Sequence, residues 1–214
     1  RADAPGRVAL RLVGSTLYCA NVGAPLTVSG VRALSALRAS DKGGGDVGRY
    51  GVGFTAVRAL TARVEVRSRA GSVVFDADAT RDTLQENGID QSVLAARGLD
   101  VPMFRLPWPS DAAPDSGWDT EIVLHDVADA EAVLDAASAE APDLLLELPA
   151  IGRITVGERE SRRVETDGPG AWTTVTVGER SYLRGAAPHA TWYLPVSANG
   201  DVRPVETDVL RAPT

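Results

Sequence analysis

The chain holds a single cysteine, Cys19, so no disulfide can close within it, and with only two histidines it offers no zinc-binding pattern. Cys19 lies between Tyr18 and Ala20 in an apolar run and reads as a small core residue. Aromatic residues make up only 5% of the chain, which leaves Ala, Val and Leu to fill the core. No apolar run reaches the length of a membrane span and no signal peptide is visible, so the expectation is a cytoplasmic protein without membrane partners. A net charge of −7 supplies no basic face and argues against nucleic acid, although a nucleotide needs only a local positive spot. Asp76, Asp78 and Asp82 are too scattered for a calcium loop. Ser40 and Ser68 lack the His and Asp context of a nucleophile, and neither His125 nor His189 has a partner in the sequence around it. No catalytic residue and no metal ligand is assigned. The first residue is Arg, not Met, and the chain reads as a piece of a longer protein.

What is present is ordered in two styles. Arg7 to Leu12 and Thr16 to Ala20 read as strands joined at Gly14-Ser15. Thr27 or Ser29 caps a helix expected to run to about Arg38. A second helix is expected from near Gly51 to near Thr61. Arg63 to Arg69 alternates strictly, Ala70-Gly71 turns, and Ser72 to Asp76 returns as a hairpin. Two short helices are expected between Ala79 and Gly98, with Asp90 capping the second, then an extended piece from Val101 to Trp108. Ser110 to Trp118 reads as a mobile polar loop, Glu121 to His125 as a strand, and Asp126 to Glu140 as a helix. From Ile151 helical periodicity disappears. Val156-Gly157-Glu158-Arg159 and Val177-Gly178-Glu179-Arg180 repeat one hairpin-turn tetrapeptide, too few copies for a repeat array.

The densest signal is Ser40 to Leu60, where Gly43, Gly44, Gly45, Gly48, Gly51 and Gly53 lead into Phe54, Val57 and Leu60 at helical spacing. A glycine loop admits close approach to the backbone, and a helix starting after it offers N–H groups to an anion. A P-loop is excluded because Arg49 and Tyr50 stand where Lys and Ser/Thr are needed. A dinucleotide fingerprint is excluded because the order is G-x-x-G-x-G after a loop, not G-x-G-x-x-G after a strand.

Gly48-Arg49-Tyr50-Gly51-Val52-Gly53-Phe54 resembles the second glycine box of the GHKL (Bergerat-fold) ATPases. Asn21-Val22-Gly23-Ala24-Pro25-Leu26 is similar to the first box, and Asp119-Thr120-Glu121-Ile122-Val123-Leu124-His125 to the strand that follows a Gly-Thr pair. The resemblance covers residues 7 to 148 and is closest to the sacsin-like, heat-shock-chaperone-like branch. It implies an α+β fold, a two-layer α/β sandwich with an antiparallel mixed sheet over residues 1–148, followed by a β-rich segment over 149–214. It implies binding of ATP or ADP with Mg²⁺, and lid closure coupled to conformational change. By the same resemblance Asn21 and Thr120 meet the base side, Gly23 belongs to the same nucleotide site, and Gly48, Arg49, Tyr50, Gly51, Val52, Gly53 and Phe54 meet the phosphates; Lys42 and Arg49 also carry charge that can meet phosphate oxygens.

Two departures matter. Asn21 stands in place of an adenine-binding Asp and brings no charge. No Glu-x-x-x-Asn occurs in the chain, so the general base and the Mg²⁺ ligand of such ATPases are missing, and the residues before Arg7 read as the tail end of that helix. The chain is therefore expected to bind nucleotide with little or no hydrolysis. The alternative is a nucleotide-free scaffold that meets a protein client or partner.

Overall fold

The computed structural model describes residues 5–23, 25–35, 54, 56–187, 190–197, 199, 201–202 and 210–212. They hold twelve strands and four α-helices: β1 (Gly6–Val13), β2 (Thr16–Asn21), α1 (Val28–Ser35), β3 (Arg63–Ser68), β4 (Ser72–Asp76), α2 (Ala77–Glu86), α3 (Ser92–Ala96), β5 (Trp108–Ser110), β6 (Thr120–His125), α4 (Ala130–Glu147), β7 (Ile151–Val156), β8 (Arg159–Asp167), β9 (Thr173–Val177), β10 (Arg180–Ala187), β11 (Ala190–Val196) and β12 (Leu210–Ala212). The chain divides into two compact units, one of Arg11–Glu131 and one that joins Arg1–Leu10 to Ala132–Thr214.

In the Arg11–Glu131 unit the strands run in the order β2-β6-β3-β4-β5, all antiparallel. Period-2 alternation gives this sheet two chemically distinct faces. Leu17, Leu124, Val64 and Phe75 lie in one cross-strand row of the first face, and Cys19, Ile122, Val66 and Val73 in the next. Leu17, Val64, Val66, Phe75 and Leu124 are buried, and Phe54 and Phe104 pack on Phe75 with ring centroids 6.2 and 5.2 Å away. α2 starts where Asp76 ends β4: its carboxylate accepts the N–H groups of Asp78 and Ala79. α1 is capped by Thr27, whose hydroxyl accepts the Gly30 N–H at 3.1 Å.

In the other unit the order is β1-β7-β8-β9-β10-β11-β12, with β1 and β7 parallel and the remaining pairs antiparallel. Its core joins Ala141, Leu145 and Leu146 of α4 to Ile154, Val156, Val175, Val177, Tyr182 and Tyr193. The two VGER tetrapeptides are the β7–β8 and β9–β10 turns. Gly157 and Gly178 sit at φ +58° and +59°, a conformation that favours glycine at each.

The expected two-layer GHKL-type sandwich is overturned: a large mixed β-sheet dominates the chain, not one sheet with a layer of helices on it. The physical reason lies in β7, which pairs in parallel with β1, so the β-rich residues from Ile151 share a sheet with the chain's first strand. Smaller expectations also change. Of the helix expected from Gly51 to Thr61, the described part is Phe54 and a 3₁₀ turn over Ala56–Ala59. The extended piece after Val101 is a 3₁₀ turn (Met103–Arg105) followed by β5. α4 begins later than Asp126 and runs through Pro142 to Glu147. A proline inside a helix costs about 3 kcal/mol. Full burial of Leu145 and near-full burial of Leu146 together contribute about 3–6 kcal/mol and outweigh it.

Candidate functional site

At the end of the apolar face, the next row beyond Cys19, Ile122 and Val66 is polar: Asn21, Thr120 and Ser68 lie side by side on β2, β6 and β3. Directly opposed residues have Cβ atoms about 5 Å apart, so the three side chains form one short edge. The Asn21 carboxamide and the Thr120 hydroxyl have no hydrogen-bond partner among the described residues. The Ser68 hydroxyl accepts the Leu26 N–H at 2.8 Å, which leaves its proton to donate.

The backbone around this row is tied down. The Asp119 N–H donates to the Asn21 carbonyl at 3.0 Å, and the Gly23 N–H donates to the Asp119 carboxylate at 3.0 Å. Arg69 holds the same carboxylate at 3.0 Å and donates through Nε to the Trp118 carbonyl. Gly23 lies beside the row: a Cβ on it would stand 3.4 Å from Asn21 Nδ2, an ordinary contact distance. The loop from Ser110 to Trp118, expected to be mobile, is anchored: Asp115 pairs with Arg11 at 2.6 Å, and the Ser72 hydroxyl donates to the Ala112 carbonyl at 2.6 Å.

Of the residues expected at the site, Asn21, Gly23 and Thr120 are brought together. Phe54 packs on Phe75 and Phe104, on the same sheet face as the Asn21 row. One row of the same face, Cys19, Ile122, Val66 and Val73, separates the Phe75 row from the Asn21 row, which lies four residues or about 13 Å further along the strands. Lys42, Gly48, Arg49, Tyr50, Gly51, Val52 and Gly53 lie outside the described residues. Sequence reasoning set Ser68 aside as a failed nucleophile. Its signal was the phase of RVEVRS, which places Ser68 on the face of Val64 and Val66. No group of three or more His, Cys, Asp or Glu among the described residues is placed to hold a metal ion.

The second face of the same sheet carries an ion network. Glu121 is fully buried and receives Arg11 at 3.0 Å and Arg67 at 3.2 Å. Arg67 also pairs with Glu65 at 2.8 Å, and the Ser110 hydroxyl donates to the other Glu65 oxygen. The Arg11 guanidinium stacks 3.8 Å over the Tyr18 ring. Burial works against the Glu65 charge, but the hydrogen bonds from Ser110 and Arg67 and the Arg67 charge hold its carboxyl below the usual range. Burial likewise pushes the Cys19 thiol up to about 11, with the Glu121 charge adding to it, so Cys19 stays a thiol near neutrality.

His125 lies at the edge of this network. Its Nε2 is buried without a hydrogen-bond partner among the described residues and stands 3.9 Å from Glu65. Burial depresses its pKa, Arg63 and Arg67 add to that, and Glu65 and Asp126 oppose it. Because the folded value lies below the unfolded one of 6.5, the unfolded chain binds the proton more readily. The contribution of neutral His125 is therefore complete above pH 6.5 and is lost as pH falls below it. Urea unfolding midpoints should decline from pH 7.5 to 5.5, and His125→Gln should flatten that decline; equal slopes for the two proteins would refute it.

No protein-family model matches the chain, and no curated protein matches it. No helix among the described residues is long and apolar enough to cross a membrane.

Proposed function

We propose that the Asn21–Thr120–Ser68 row is the base end of an adenine-nucleotide site. The observation that carries this reading is the pairing of Asn21 with Thr120 as direct cross-strand neighbours, neither side chain having a hydrogen-bond partner among the described residues, although 98 positions separate them in the chain. An amide and two hydroxyls about 5 Å apart match the hydrogen-bonding edge of a purine, and Ile122 and Val73, partly exposed in the neighbouring row, offer apolar contact to a base. Phe54 adds support, because it ties the end of the glycine box to the sheet face that carries the row. By the resemblance of that box to the GHKL ATPases, the phosphates fall to Gly48–Gly53 with Lys42 and Arg49, and Mg²⁺ accompanies them. With no Glu-x-x-x-Asn in the sequence, the proposal is one of binding, not turnover.

The test is titration of the whole chain with a ribose-labelled fluorescent ATP analogue, with and without Mg²⁺. Saturable binding is expected, and ATP at about 100 times its Kd should add roughly 2.7 kcal/mol of stability. Thr120→Val, which keeps the shape and removes the hydroxyl, should weaken binding about 5- to 10-fold, the worth of one hydrogen bond. Absence of saturable binding, with no thermal shift, would overturn the reading and leave a nucleotide-free interaction module.

A further inference from the structure

We propose that the base end does not choose between adenine and hypoxanthine, so that the site takes inosine-type nucleotides alongside adenine ones. This rests on the nucleotide reading above and concerns only its specificity. The two polar groups of the row that have no partner among the described residues, on Asn21 and Thr120, can each act in either sense. The Asn21 carboxamide presents a C=O acceptor and an NH₂ donor from one position, and no described neighbour fixes which is forward. The Thr120 hydroxyl donates or accepts as it rotates, and the Ser68 hydroxyl is free to donate. The Asp119 carboxylate, an obligate acceptor nearby, already accepts the Gly23 N–H and pairs with Arg69.

Adenine offers a donor at its 6-position and an acceptor at N1, whereas hypoxanthine offers the reverse. Discrimination between such pairs requires a buried group left unpaired by the wrong base. In this row the amide turns over and the hydroxyl rotates, so neither base leaves a group unpaired. A carboxylate at position 21 would behave differently, because it only accepts and would face the 6-oxo oxygen acceptor to acceptor.

The experiment compares ATP with ITP, which differ only around the 6-position and N1, against the whole chain. For the unaltered protein the two dissociation constants are expected to agree within about 3-fold, whereas Asn21→Asp should favour ATP by more than about 10-fold. Asn21→Leu, which removes the amide without adding charge, should weaken both nucleotides alike. A preference for ATP above about 10-fold in the unaltered protein would overturn this inference and leave the nucleotide site standing. Equal binding of both nucleotides to Asn21→Asp would also overturn it, because residue 21 would then not touch the 6-position. Failure of both nucleotides to bind the unaltered protein would overturn the site itself.

Discussion

Replacing Glu121 with alanine is expected to lower the stability of the protein by about 3–5 kcal/mol. The carboxylate is fully buried and bridges Arg11 and Arg67, whose side chains are 40% and 19% exposed. Removing it leaves Arg67 beneath the strand surface with one acid, Glu65, in place of two. Against a total of roughly 5–15 kcal/mol for a domain, this is a large fraction. The companion triple variant Glu65→Leu, Arg67→Met and Glu121→Leu is expected to recover much of the loss, because apolar replacement of the whole buried group leaves no uncompensated charge among the three. Urea denaturation of the three proteins checks both statements. A loss below about 1 kcal/mol for Glu121→Ala, the size of an exposed pair, would show that the network adds little.

Phe75→Ala should cost a comparable amount, about 3–5 kcal/mol, by a different route. Phe75 is fully buried and meets Phe54 and Phe104, whose own rings lie 4.9 Å apart. Among the described residues, the rings paired in this cluster are those of Phe54, Phe75 and Phe104, and the alanine variant removes one that touches both others. Phe75→Leu keeps most of the volume and should cost about 1–1.5 kcal/mol. Thermal and urea unfolding report the difference. Equal losses for the two variants would show that aromatic contact, and not volume, sets the cost. Because Phe54 leans on Phe75, the alanine variant should also weaken binding of the fluorescent ATP analogue, whereas the Glu121 variants act on the opposite sheet face.

Local features were legible in the sequence and non-local ones were not. RVEVRS with Ala70-Gly71, and the two VGER tetrapeptides, carry their hairpins in a few residues, since alternation and a turn glycine suffice. The parallel pairing of β1 with β7 joins segments far apart in the chain, and no local pattern encodes it; from that one pairing follows the mixed sheet that overturned the expected sandwich. Glu65 and Glu121 occupy polar positions of their strands, where no local pattern marks them for burial. They are buried because Arg67 and Ser110 cover Glu65, and Arg11 and Arg67 cover Glu121. At the candidate site, Asn21, Gly23 and Thr120 were picked out by motif, while Ser68 and the carboxylate bond from Asp119 to Gly23 emerged only once the strand register was known.

The β1–β7 pairing also bears on the order in which the chain is built. During synthesis β1 emerges well before its partner at Ile151–Val156. The hairpins of the Arg11–Glu131 unit draw on near neighbours and can close while the ribosome is still working. Along its β7 side, β1 carries unpaired N–H and C=O groups throughout that interval, which is the template that intermolecular strand pairing uses. Folding yield should thus depend on how soon residues 151–156 follow β1 out of the ribosome.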